Sequence, residues 1–252
     1  MKVNILNKAA FAKKPAVVVF NLDNTICGHE EAHAAATKAA ITKACDLLCV
    51  TPKAFVTALD EARWEIEDMV GPTVNARNCL LHFQRCIEKL SMKTHASYTL
   101  LLEQTYWRNY LLASALLPGV KDFILDVRSF GGVTAAISDS PAKTAFRKII
   151  YWGVDSMLDH VVTCEEAGSD KLSLIPFEVL RAKLGKIGDD GVWMIGDQSS
   201  DLNAKECLGA TTLFFGKPEK QDLPRVDATF NDFAALSKYW GEYAPALRSG
   251  KS

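Results

Sequence analysis

Three polar clusters each follow directly on a short apolar run. They are Asn21-Leu22-Asp23-Asn24-Thr25 after Val17-Val18-Val19-Phe20, Ser138-Asp139-Ser140 after Val133 to Ile137, and Gly196-Asp197-Gln198, with Asp201 just beyond, after Val192 to Ile195. If they converge, Asp23, Asp197 and Asp201 form a carboxylate cluster that needs a counterion, and hard oxygen ligands with room for water suit Mg²⁺. Ser138 offers a hydroxyl, the turn after it offers backbone N–H groups at Asp139, and Lys171 adds a point positive charge; together these could hold a phosphate. Cation, phosphate clamp and acid/base carboxylate are the parts that phosphoryl transfer requires.

These residues meet only if their elements end at one edge. The runs preceding them are continuous and rich in β-branched residues, the pattern of strands buried on both faces in a parallel sheet. From Pro118-Gly119 onward such runs alternate with helical stretches, adding His160 to Thr163 and Thr211 to Phe215, which reads as an α/β fold of β/α units. The ligand crevice of such a sheet lies outside the carboxyl ends of its strands. Between His29 and Ala115 the pattern is helical throughout. Four helices are expected: Glu30 to Cys49, one opening at Thr51-Pro52 and stopping before Gly71-Pro72, Asn75 to Leu90, and one carrying Tyr98, Tyr106, Trp107 and Tyr110. That aromatic stripe is expected to be bundle core. The domains are therefore expected at residues 1–27 plus 116–252 for the sheet and 28–115 for the helices, with a tail at Arg248 to Ser252.

The ordered set resembles the haloacid dehalogenase superfamily, of the phosphatase type with a helical cap inserted after the first strand. Phe20-Asn21-Leu22-Asp23-Asn24-Thr25 is similar to the family's DxDxT; Ile137-Ser138-Asp139, Lys171 and Gly196-Asp197-Gln198-Ser199-Ser200-Asp201 follow in family order. The resemblance implies a Rossmann-like parallel sheet core with an all-α cap. It places a nucleophile at position 21, a general acid and base at Asp23, and phosphoryl-oxygen contacts at Ser138 and the N–H of Asp139. It also implies charge neutralisation by Lys171, and Mg²⁺ held by position 21, Asp23 and Asp197 with Asp201 behind them. Lys171 is expected to open the helix that contains Pro176-Phe177. Asp23 favours phosphate esters over haloacids, because members that cleave carbon–halogen bonds lack that aspartate.

The pattern breaks at residue 21, which is asparagine. A neutral amide is a poor nucleophile toward phosphorus, so turnover by the family route should fail while fold, phosphate pocket and weakened Mg²⁺ binding survive. Three readings follow: an engineered aspartate-to-asparagine change that traps substrate, a natural pseudo-enzyme that binds a phosphorylated ligand, or catalysis through another nucleophile. A separate pattern, His29-Glu30-Glu31-Ala32-His33, satisfies HExxH, so a zinc peptidase is a remote alternative with Glu61 or Glu65 as third ligand; an exposed helix face is the plainer reading. Arg77, just beyond the Gly71-Pro72 break, could meet an anionic or sugar group.

Composition bounds the rest. With 252 residues, 29 Lys and Arg, 30 Asp and Glu and a net charge of -1, nothing favours a nucleic-acid or anionic-membrane partner; a small phosphorylated metabolite is the expected one. The 7 cysteines are odd in number and never spaced CxxC, which fits reduced thiols in the cytoplasm. Oligomeric state is not legible in the chain.

Overall fold

The structure, a computed structural model, describes residues 3–12, 15–71, 73–91, 93–186 and 191–248. Pro72 and the end of the tail, 249–252, lie outside them. The chain divides into two compact units, 1–27 with 116–252, and 28–115. In chain order the elements are β1 (Asn4–Ile5), β2 (Pro15–Asn21), α1 (Glu30–Leu48), α2 (Pro52–Val70), α3 (Cys79–Ser91), α4 (Ala96–Ala113), α5 (Val120–Ser129), β3 (Val133–Ser138), α6 (Ala142–Tyr151), β4 (His160–Thr163), α7 (Cys164–Ala167), α8 (Ile175–Leu184), β5 (Gly191–Gly196), α9 (Ala204–Leu208), β6 (Thr211–Phe215), β7 (Ala228–Phe230) and α10 (Phe233–Arg248).

The first unit is built on a sheet of order β1-β7-β6-β5-β2-β3-β4, parallel except for the β1–β7 edge pair. The chain fills β2, β3 and β4 outward in one direction, then returns to β5 on the other side of β2, so strand order reverses beside β2. Alternation along the strands supplies both faces. Val18 and Phe20 join Phe123, Ile124, Ile149, Phe233 and Trp240 in one core, so α5, α6 and α10 cover that face. Val17 and Val19 join Ile137, Val192, Met194, Phe177, Leu180 and Ala204 in another, under α8 and α9. Burial on both sides is why these strands read as unbroken apolar runs.

In the second unit Ala32, Ala36, Ala40 and Ala44 recur every fourth residue on α1 and are fully buried. This stripe of small side chains meets Phe83 and Ile87 of α3 and Leu102, Tyr106 and Tyr110 of α4, with Tyr98 and Trp107 partly buried beside them. Thr51 opens α2 by accepting the N–H of Ala54 at 3.2 Å, and Gly71 ends it at φ 62°. The expected helix from Asn75 is corrected. Val74–Arg77 forms a separate 3₁₀ turn, Asn78 is extended at φ -80° and ψ 102°, and its side chain accepts the N–H of Leu80 at 3.1 Å, restarting the helix at Cys79. No helix among the described residues is long and apolar enough to cross a membrane.

Candidate active site

The sheet register sets the site. Asn21 lies level with Ile137 on β3, and Phe20 level with Ile195 on β5. Ser138 and Asp197 therefore emerge on either side of Asn21, at the carboxyl edge where strand order reverses and a crevice opens. After β2 the chain turns through Asn24 at φ 57°, which brings Thr25 back toward the strand ends. There the Thr25 hydroxyl donates to Asp197 Oδ1 at 2.6 Å.

Asn21, 3% exposed, is the hub. Its Nδ2 donates to Asp197 Oδ1 at 2.8 Å, to the main-chain carbonyl of Asp23 at 2.9 Å and to Thr25 Oγ1 at 3.3 Å. Its Oδ1 accepts from Lys171 Nζ at 2.9 Å. The direction of the amide follows from its neighbours: Lys171 has only donors, while the Asp197 carboxylate and the Asp23 carbonyl have only acceptors.

Lys171 is buried and reaches Asp201 Oδ1 at 2.5 Å and Asp139 Oδ2 at 3.8 Å. Burial opposes its charge, but Asp201, Asp139 and Asp197 more than offset this and hold its pKa above the usual lysine value. Burial pushes the Asp201 carboxyl upward as well. Yet Asp201 Oδ2 accepts the N–H groups of Asp197 and Gln198, each at 3.1 Å, and with Lys171 on Oδ1 this is the coordination of a carboxylate. We therefore take the pair as charged. Gly196 makes the approach of Asp201 possible, since a Cβ there would collide with the Asp201 side chain. Lys171 does not open the helix as expected. Asp170 Oδ1 takes the N–H of Leu172 and Ser173 Oγ that of Ile175, so the chain turns twice before α8 begins at Ile175. The Lys171 N–H is instead fixed by Asp139 Oδ1 at 2.9 Å.

Asp23 points away from this hub, its side chain 24% exposed. Lys148 Nζ donates to both its oxygens, at 2.6 and 2.8 Å, and Ser140 Oγ to Oδ2 at 3.3 Å. Sequence reasoning missed Lys148. Its signal was a charged residue sharing the buried face of α6 with Ala145 and Ile149. The thiol of Cys27 lies 3.8 Å from Asp23 Oδ1. Burial, and then the Asp23 charge, push its pKa far up, so it stays a protonated thiol. Ser138 Oγ accepts the N–H of Ser140 at 3.1 Å, closing the turn after β3.

Asn21, Asp23, Ser138, Asp139, Lys171, Asp197 and Asp201 thus gather at one sheet edge, whereas Arg77 is exposed on a turn of the other unit. The HExxH histidines pair with tyrosines of α4. His29 and His33 stack at 5.4 Å, and their Nδ1 atoms bond Tyr110 Oη at 2.9 Å and Tyr106 Oη at 2.6 Å. Glu61 and Glu65 pair with Lys89 at 3.0 and 2.6 Å. Among the described residues no group of three or more His, Cys, Asp and Glu side chains is placed to hold a metal ion.

Comparison with known proteins identifies the family of the chain. A ribulose-1,5-bisphosphate 5-phosphatase from Halopiger xanaduensis is 25% identical over 206 residues, covering 81% of this chain and 86% of that protein. Among solved structures, a 2-haloacid dehalogenase from Pseudomonas syringae superposes with a TM-score of 0.68 at 18% identity, over 90% of this chain and 98% of that one. The HAD-hydrolase YfnB from Bacillus subtilis, solved bound to magnesium, gives 0.65 at 16% identity over 91% and 100%. The family model for haloacid dehalogenase-like hydrolases matches residues 15–209, the stretch from the start of β2 to just past α9 that carries every strand-end residue above. The chain belongs to the haloacid dehalogenase-like hydrolase family.

Proposed function

We propose that this site is that of a phosphatase acting on a small phosphorylated metabolite, with its nucleophile position neutralised by Asn21 so that the chain holds its ligand without turning it over. The observation that carries the reading is Asp23, two residues beyond the nucleophile position and anchored beside the Ser138 turn. Dehalogenation has no use for an acid there, whereas a departing alkoxide needs a proton. The Halopiger relative, named for its action on a sugar bisphosphate, supports a sugar phosphate as substrate class.

The residues would divide the work as follows. Ser138 Oγ and the N–H of Asp139 hold phosphoryl oxygens, and Lys171 offsets negative charge between position 21 and the phosphate. With an aspartate at 21, its carboxylate attacks phosphorus, the ester oxygen leaves with a proton from Asp23, and Asp23 then takes a proton from the water that hydrolyses the aspartyl phosphate. Asn21 has no carboxylate for the first step. Mg²⁺, the cofactor the family suggests, meets a mixed donor set: the Asp23 carbonyl and Asp197 carboxylate are suitable hard oxygens, but residue 21 turns an N–H donor toward them. As it stands the set does not fit the ion.

The test is phosphate release from a broad phosphomonoester panel with Mg²⁺, comparing the chain with Asn21→Asp. Turnover only in the variant is the expected result, and its best substrate names the class. A folded variant without turnover on any ester would favour the second reading, a pseudo-enzyme, for which the fully satisfied hydrogen bonding of Asn21 speaks.

A further inference from the structure

We infer that Asn21 makes this chain a weak binder of divalent cations, because its amide competes with the ion for the oxygens of the site instead of ligating it. The inference deepens the phosphatase reading of the same site and rests on it for the identity of the ion.

Six oxygens at 2.0–2.1 Å around Mg²⁺ lie about 3 Å from their neighbours in an octahedron. Asn21 Nδ2 stands 2.8 Å from Asp197 Oδ1 and 2.9 Å from the Asp23 carbonyl, so it takes up both of the hard oxygens that would be offered to the ion. A carboxylate oxygen in that place would set acceptor against acceptor, a repulsion that a cation between them relieves. The amide removes the need, since its two hydrogens satisfy both neighbours directly. Thr25 Oγ1 completes the arrangement by donating to the same Asp197 oxygen at 2.6 Å.

Admitting Mg²⁺ requires Asn21 to turn its oxygen inward. That rotation breaks the bonds to Asp197 and Asp23. It also sets the NH₂ group against Lys171 Nζ, a buried ammonium whose place is fixed by Asp201 at 2.5 Å and whose bond to Asn21 Oδ1 at 2.9 Å would be lost. A donor facing a donor in a buried site has no compensation from solvent. The asparagine is thus matched to the ion-free site on both sides of its amide plane.

Calorimetric titration with Mg²⁺, repeated with Mn²⁺ by electron paramagnetic resonance, separates competitor from ligand. Three proteins are compared: the chain as it stands, Asn21→Asp and Asn21→Ala, each checked for folding by thermal melting in EDTA. If the amide competes, Asn21→Asp binds the ion at least tenfold more tightly than the chain. Asn21→Ala, having lost the obstructing donor, binds at least as tightly as the chain. If Asn21 serves as a ligand through Oδ1, alanine weakens binding, and the inference fails. It fails too if the chain matches Asn21→Asp, or if no form binds the ion, since the amide is then not the barrier. Calorimetry reads the ion and not the chemistry, so an Asn21→Asp form that binds Mg²⁺ but releases no phosphate would overturn the phosphatase reading and leave this one standing.

Discussion

Lys148 gives Asp23 one partner on both carboxylate oxygens, and a buried cation in that place fixes where the carboxylate can point. In the Asn21→Asp background, Lys148→Met is expected to lower turnover of alkyl phosphates by roughly 100-fold, the scale of a misplaced general acid. p-Nitrophenyl phosphate, whose leaving group departs without a proton, should lose much less. Steady-state rates on the two substrates decide it: an equal loss on both would mean that Lys148 only supports the fold, and recovery with Lys148→Arg would restore the positioning role. At this scale Asn21, Ser138 and Asp197 are legible in sequence because each stands at the end of an apolar run, while Lys171 and Asp201, which do not, are legible only through their order in the family pattern. What cannot be read there is the set of contacts each makes: that Asp201 turns to Lys171, and that Asn21 faces Asp197 with its nitrogen, follow only from three-dimensional proximity.

Among the elements, the central strands announce themselves because both faces are covered, whereas β1 and β7, two and three residues long, carry too few side chains for a period to show. Helix boundaries failed where a polar side chain intervened, Asn78 ahead of α3 and Asp170 with Ser173 ahead of α8. Competition of this kind between a side chain and the backbone leaves little trace in a hydrophobic pattern. The helices of the second unit also carry a pH dependence. Burial is the largest cause lowering the pKa values of His33 and His82, with Arg63 adding to it in both. A histidine whose folded pKa lies below its unfolded value of about 6.5 contributes full stability above that pH, and the contribution falls as pH drops toward the folded value. The melting temperature should therefore decline from pH 7 to pH 5. In the double variant His33→Gln, His82→Gln the decline should be shallower; an unchanged slope would assign it to other groups.

At the level of the whole molecule, each unit owns a hydrophobic core, and the chain passes from one to the other at only two places. Those places adjoin: Cys27 and Leu116 form an antiparallel bridge, and Leu117 N–H donates to the Ile26 carbonyl at 2.8 Å. Replacing 28–115 by a short Gly/Ser linker should thus leave a folded sheet unit, measured as a cooperative melt with Trp193, fully buried in the intact chain, still giving blue-shifted fluorescence. An aggregated or molten product would mean that the sheet unit depends on the helices for more than connectivity. The same bridge links the fates of the two units through chain entropy alone. While the helices are folded they hold residues 28 and 115 in place, and the sheet unit closes its bridge at little cost. Once they melt, the bridge must close a long flexible loop, at roughly 4 kcal/mol for a segment of this length. Whatever loosens the helical bundle, a falling pH included, therefore weakens the first turn after β2, which carries Asp23, without any residue of the site being touched.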